Sequence, residues 1–249
     1  MNKLKEFLIA ILIIAAVGSL IYFMYQRGST ATNRELARRM AEISPRGGPP
    51  ESIDGLRQAI ALYEDQIERN VREGAQTGIY WKILGIRLAD RGMHNDALTA
   101  LERAIFFNTE DPVLYYLTGV SGASVAKSIV GFSINAERER DSFYALAENA
   151  YLRALELDIT YTRPMYGLGI LYVFELDRPE DAIVYLERYL QILPNDVPAL
   201  FVLARANFML ENFSRAVDIY DRIIERSRDK QIREEAQYNR EFIMGLIYG

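Results

Sequence analysis

Residues 165–189 read MYGLGILYVFELDRPEDAIVYLERY, and two patterns inside that stretch decide the fold. Met165-x2-Leu168-Gly169-x2-Tyr172 puts four residues on one helical face, because side chains three and four apart lie one above the other. The segment Asp177-Arg178-Pro179 then reads as a turn. After it, Ala182-x3-Leu186-x2-Tyr189 marks one face of a second helix. A small residue in such a face lets two helices approach closely. The stretch predicts a helical hairpin.

The same two patterns recur in both directions along the chain. Ala97-x3-Leu101-x2-Ala104, Ala147-x3-Tyr151-x2-Ala154 and Ala216-x3-Tyr220-x2-Ile223 repeat the second helix. Trp81-x2-Leu84-Gly85-x2-Leu88 and Leu200-x2-Leu203-Ala204-x2-Asn207 repeat the first, with Tyr115 and Gly119 in the corresponding places between them. With Ala59 added, the alanines at 59, 97, 147, 182 and 216 stand 38, 50, 35 and 34 residues apart. A period near 34 with one large insertion means stacked supersecondary units rather than one globular core. No stretch alternates with period two, so no sheet is expected.

These motifs resemble the tetratricopeptide repeat family, whose pattern is W-x2-L-G-x2-Y, then A-x3-F, then P. The resemblance implies an all-α solenoid of helical hairpins over residues 53–229. A half unit at 53–73 precedes four units at 78–111, 112–160, 161–195 and 196–229. The terminal proline is present only as Pro194, and the third unit needs one extra residue in its turn. Stacked hairpins make extended concave surfaces that hold other proteins, so the functional question becomes one of partner. Transferred by register, the family's groove positions fall on Lys82 and Ile86, Tyr116 and Val120, Tyr166 and Ile170, and Phe201, Arg205, Phe208 and Met209. Ile86, Leu117 and Val202 stand where members that grip a terminal carboxylate carry polar groups, which argues against a chaperone-type clamp. An aromatic groove with one or two cations suits an amphipathic helix or an extended apolar peptide. A carrier that holds an apolar small molecule or lipid in the same groove is the alternative.

The insertion, at about 120–143, lies inside the second unit. Sixteen extra residues shared equally would lengthen each helix by about two turns, ~12 Å. Val125, Ile129, Phe132, Ile134 and Phe143 would form its apolar seam, and Gly131 and Ser133 mark its tip. Such a hairpin either docks a partner or covers the groove. Residues 230–249 read as a C-terminal capping helix whose apolar end packs back into the last groove, or else forms a separate docking site.

Ahead of the repeats, a short tail (1–6) precedes Phe7–Tyr25, which are 19 consecutive residues without a charge. At 1.5 Å per residue they span about 28 Å, close to the ~30 Å hydrocarbon core, and read as one transmembrane anchor. A cleaved signal peptide is the rival, but its apolar region is shorter and Arg27 intrudes before the cleavage site. Lys and Arg counts favour a cytoplasmic solenoid. A short lysine-bearing tail before a long apolar run is instead how an exporting signal-anchor begins. The resulting expectation is a single-pass plasma (inner) membrane protein with a lean to export, the side staying open. Residues 26–52 form a basic linker ending in Pro and Gly, with a short helix from Arg34 to Ile43.

The first 50 residues carry 7 basic and 3 acidic groups; the rest carry 22 and 31. An acidic solenoid argues against nucleic acid, which needs a basic stripe. With no cysteine, disulfides, thiol catalysis and thiolate metal sites are excluded. The one histidine, His94, falls in a predicted turn, and no nucleophile–base pair or metal-ligand spacing appears. Neither enzyme activity, a cofactor nor a metal is expected.

Overall fold

The computed structural model describes residues 34–44, 49–50, 52–131 and 133–248. Their regular structure is helical, with no strand among them. The expected tail 1–6, the anchor 7–25 and the start of the linker lie outside the described residues, as does Phe132 of the insertion. No helix of the described residues is long and apolar enough to cross a membrane. The chain divides into two compact units, Met1–Glu73 and Gly74–Gly249.

In the first unit, α1 covers residues 34–43, where the short linker helix was expected. Arg38 and Arg39 both bond Glu35 on its exposed side and hold that carboxyl down at about 2. Helix α2 (Ile53–Asp90) opens on Ser52, whose hydroxyl accepts the Gly55 N–H at 3.0 Å. This helix corrects the reading of residues 53–73 as a half unit. They run without a break into the first helix of the first hairpin, as one helix of 38 residues. No turn intervenes at Gly78 because it is a packing glycine. A Cβ on Gly78 would stand 2.7 Å from Cβ of Phe107.

In the second unit the hairpins follow one another: α3 (His94–Phe107) after α2, then α4 (Pro112–Ser128) with α5 (Ile134–Leu157), α6 (Thr162–Phe174) with α7 (Pro179–Ile192), and α8 (Val197–Met209) with α9 (Phe213–Arg226). Helix α10 (Lys230–Tyr248) closes the series on α9. The starts are written locally. Asp111 accepts the Val113 N–H and Asp196 that of Ala199, both at 2.9 Å, with proline in the first turn of each helix. Such caps satisfy donors that a helix start leaves open.

Each hairpin closes by setting a small residue against a large one. A Cβ on Gly85 would lie 2.9 Å from Leu101, and one on Gly169 would lie 2.5 Å from Leu186. Ala204 and Tyr220, both buried, hold the corresponding places in the last hairpin. The turns share a second rule, a left-handed residue two positions before the second helix. It is Gly92 (φ 75), Asp177 (φ 51) and Glu211 (φ 59) in the first, third and fourth hairpins. The extra residue of the third turn is visible there: residues 175–178 connect α6 to α7, against 210–212 in the next hairpin. One continuous apolar core runs from Ala126 and Tyr144 through Leu168, Leu186 and Leu203 to Ile223 and Ile243.

The insertion is shared unequally, which corrects the expectation of two turns per helix. Helix α4 has 17 residues against 13 in α6 and α8, and α5 has 24 against 14 in α7 and α9. Helix α4 stops early because Ser128 bonds back to the Val125 carbonyl (2.7 Å) and β-branched Ile129 and Val130 follow. The turn falls at Gly131 (φ 149) and Ser133, which caps α5 through the Ala136 N–H. Two polar clusters fasten α5 to the next hairpin. Glu175 receives Lys127 at 2.8 Å and the Tyr144 hydroxyl at 2.5 Å, while Glu148 receives Tyr172 and Arg178, both at 2.8 Å.

Candidate functional site

The groove residues expected from the register lie on α2, α4, α6 and α8, and three of them, Lys82, Tyr116 and Tyr166, are committed within the fold. Lys82 donates to Asp111 at 2.6 Å, tying α2 to the cap of α4, so it is not a free groove cation. Tyr116 packs its ring against Tyr151 (6.1 Å) and Tyr161 (5.6 Å), with the Arg163 guanidinium 5.8 Å from its centroid. Tyr166 lies 5.4 Å from the Tyr189 ring. Burial and the bond to Asp196 push the Tyr189 phenol up to about 12. Val120 and Ile170 line a small recess of about 180 Å³ with Tyr151 and Gly167, bordered by Lys127 and Glu175. Ile86 is half-buried on α2.

Of the remaining four, Met209 packs half-buried against the core, and Phe201, Arg205 and Phe208 come together at the C-terminal end. They line a pocket of about 350 Å³ with Phe174 from α6, Tyr220 from α9 and Glu235, Asn239 and Phe242 from α10. The walls are aromatic: Phe201 meets Tyr220 edge-on at 5.9 Å, and Phe208 lies 6.2 Å from Phe242. Burial raises the Tyr220 phenol, opposed by the Arg205 charge. Arg205 stands 5.6 Å over the Phe174 ring, and no ion pair involving Arg205 or Glu235 forms among the described residues. The pocket therefore offers a cation, a carboxylate and the Asn239 amide around apolar walls. That combination can orient an extended peptide, whose backbone is polar and whose side chains seek aromatic contact.

Glu235, Asn239 and Phe242 were not among the expected site residues. Helix α10 packs back through Ala236 and Ile243, as its apolar end suggested, but it builds a wall rather than filling the groove. Arg240, 2.5 Å from Asp221 on α9, fixes its rotation. Its other face keeps Tyr238, Leu246 and Tyr248 exposed, unlike a polar solenoid cap. Residue His94 starts α3 instead of lying in the turn before it. Among the described residues, no group of three or more His, Cys, Asp or Glu side chains could hold a metal.

Comparison with known proteins places these hairpins. Residues 173–236 match the tetratricopeptide repeat family model. A TPR repeat-containing protein of Borreliella burgdorferi is 21% identical over 201 residues, covering 80% of this chain and 85% of that protein. Among solved structures, YrrB, a TPR protein with an unusual peptide-binding site, shares 19% identity at a TM-score of 0.56, covering 72% of this chain and 82% of that one. A thermophilic TPR protein of Thermus thermophilus shares 16% identity at 0.52, covering 82% and 97%. Motif register, small-to-large hairpin closure and these likenesses agree on an all-helical solenoid of stacked hairpins with the fold of tetratricopeptide repeat proteins, and residues 173–236 match that family's model.

Proposed function

We propose that this protein is a membrane-anchored, non-catalytic adaptor that holds a protein partner by an extended or helical peptide segment in the C-terminal pocket. Tetratricopeptide repeats mediate protein–protein interactions, and the observation that carries the assignment to this pocket is Arg205. It is an exposed cation with no ion pair among the described residues, set among Phe174, Phe201 and Phe208. Aromatic side chains and Arg are the groups that dominate interface energies. The peptide-binding site of YrrB, on the same fold, supports the same class of ligand. The apolar run Phe7–Tyr25 supplies the anchor in the inner membrane, with the repeats exported, so the partner is a membrane or envelope component. A lipid carrier draws little support from an open pocket with charges of both signs on its walls.

The test is a photo-crosslinking residue at Phe208 in the full-length protein in its own membranes, with one at Thr99, remote in sequence from the pocket, as control. A discrete adduct at 208 that is absent at 99 and lost with Arg205→Ala is expected. Adducts equal at the two positions would exclude the pocket as the binding site.

A further inference from the structure

The first half of α2 carries an apolar stripe that stands exposed among the described residues. Ile53, Leu56, Ile60, Tyr63 and Ile67 follow one another at alternating steps of three and four, with Val71 beside them. All six are between 41% and 70% exposed. That spacing is the seam of a coiled coil, in which two helices bury matching stripes. Helix α1 does not hide the seam, because it packs on the neighbouring face, around Gly55. Instead α1 and α2 leave a cleft of about 740 Å³ between Ala37, Met40 and Ala41 on one side and Leu56, Ile60 and Tyr63 on the other. Further along α2 the same stripe continues through Gly74, Gly78 and Gly85, and there α3 covers it with Phe107 and Leu101.

We infer that the first half of α2 is a self-association surface, and that the seam is covered by the same seam of a second copy, antiparallel. Two observations choose this occupant. The first is complementarity under a two-fold axis placed between Ile60 and Tyr63. Ile60 then meets Tyr63 of the second copy, Leu56 meets Ile67, and each contact occurs twice, as an isologous interface requires. Arg57, whose bond to Asp54 is a loose 3.6 Å on the open surface, comes beside Glu64 of the second copy. Glu64 has no ion pair among the described residues. A parallel pairing would instead set Arg57 near Ser52 and Glu64 near Ala59, with no charge matched. The second observation is area. Six half-bare side chains leave about 600 Å² on one helix, so the pair buries ~1,200 Å², the lower limit of a stable specific interface.

The chain has no cysteine, so single introduced thiols report one position each. Full-length protein carrying Ile60→Cys, Ile53→Cys or Asp65→Cys is treated with a short bismaleimide and resolved by denaturing electrophoresis. The structure predicts a band at twice the monomer mass for position 60 alone, because 60 lies at the axis. Position 53 lies ~25 Å from its copy in the antiparallel pair at 1.5 Å per residue. Position 65 lies on the opposite side of α2. Adding Ile67→Glu to Ile60→Cys is expected to cut the linked fraction at least tenfold with helical circular dichroism unchanged. A purely monomeric band at 60, or capture there of a different protein, would overturn the proposal. Linkage at 53 equal to that at 60 would overturn the antiparallel alignment and its Arg57–Glu64 pairing.

Discussion

Gly119 on α4 is pressed flat against the ring of Tyr151 on α5: a Cβ there would stand 2.5 Å from Cδ1. Gly167 on α6 closes on the other side, where a Cβ would lie 2.8 Å from Cζ. The phenol is wedged between two hairpins, and burial raises its pKa. Gly119→Ala would gain about 1 kcal/mol of helix propensity, but overpacking a close-packed contact costs about 1–3 kcal/mol. A net loss is expected, read as a lower urea midpoint. Gly245→Ala in α10 is the control, since nothing lies within 4 Å of its missing Cβ. There the propensity acts alone, and the midpoint should rise.

Glu211 holds the left-handed position that Gly92 holds in the first hairpin. A left-handed backbone costs a residue with a Cβ about 1 kcal/mol, partly offset by the greater freedom of glycine when unfolded. Glu211→Gly is expected to stabilise the protein by up to about 0.5 kcal/mol in denaturant melts. An unchanged or lower midpoint would mean that the Glu211 side chain contributes something the turn geometry does not show.

The Lys127–Glu175–Tyr144 cluster makes stability depend on acid. Burial alone would raise the Glu175 carboxyl, but the bonds from Lys127 and Tyr144 outweigh it and hold the pKa below the ordinary 4.5. A carboxyl depressed on folding contributes stability that is complete above its unfolded pKa and is lost as pH falls through the folded value. Glu175→Gln should therefore melt below the parent protein at pH 7, with the gap narrowing only below about pH 4.5. A gap that stays constant down to pH 3 would refute the charge-based account.

The parts of the fold that the sequence disclosed are those where one residue type has one physical job. Gly169 must be small because Leu186 fills its space, and Gly85 must be small because of Leu101. Residues 53–73 misled because Ala59 and Tyr63 imitate a second-helix motif, while Gly74 and Gly78 look like a break. Only the position of Phe107 reveals Gly78 as a packing site. Register alone sufficed to place Phe201, Arg205 and Phe208 on the walls of one candidate pocket. The rest of the site was hidden where it depended on tertiary partners. Asp111, 29 residues away, takes Lys82 out of the groove, and the packing of α10 brings Glu235, Asn239 and Phe242 to the pocket.

The central claim is that the C-terminal pocket grips a peptide through Arg205 and its aromatic walls. The most direct measurement is the affinity of the partner captured at Phe208, titrated by calorimetry against the parent protein, Arg205→Ala and Phe201→Ala. Truncating a buried aromatic or Arg anchor costs about 2 kcal/mol or more, so a roughly thirtyfold or larger rise in Kd is predicted for each. The melting temperature should move little for Arg205→Ala, whose side chain is exposed and outside the core. An affinity that both substitutions leave unchanged would contradict the account.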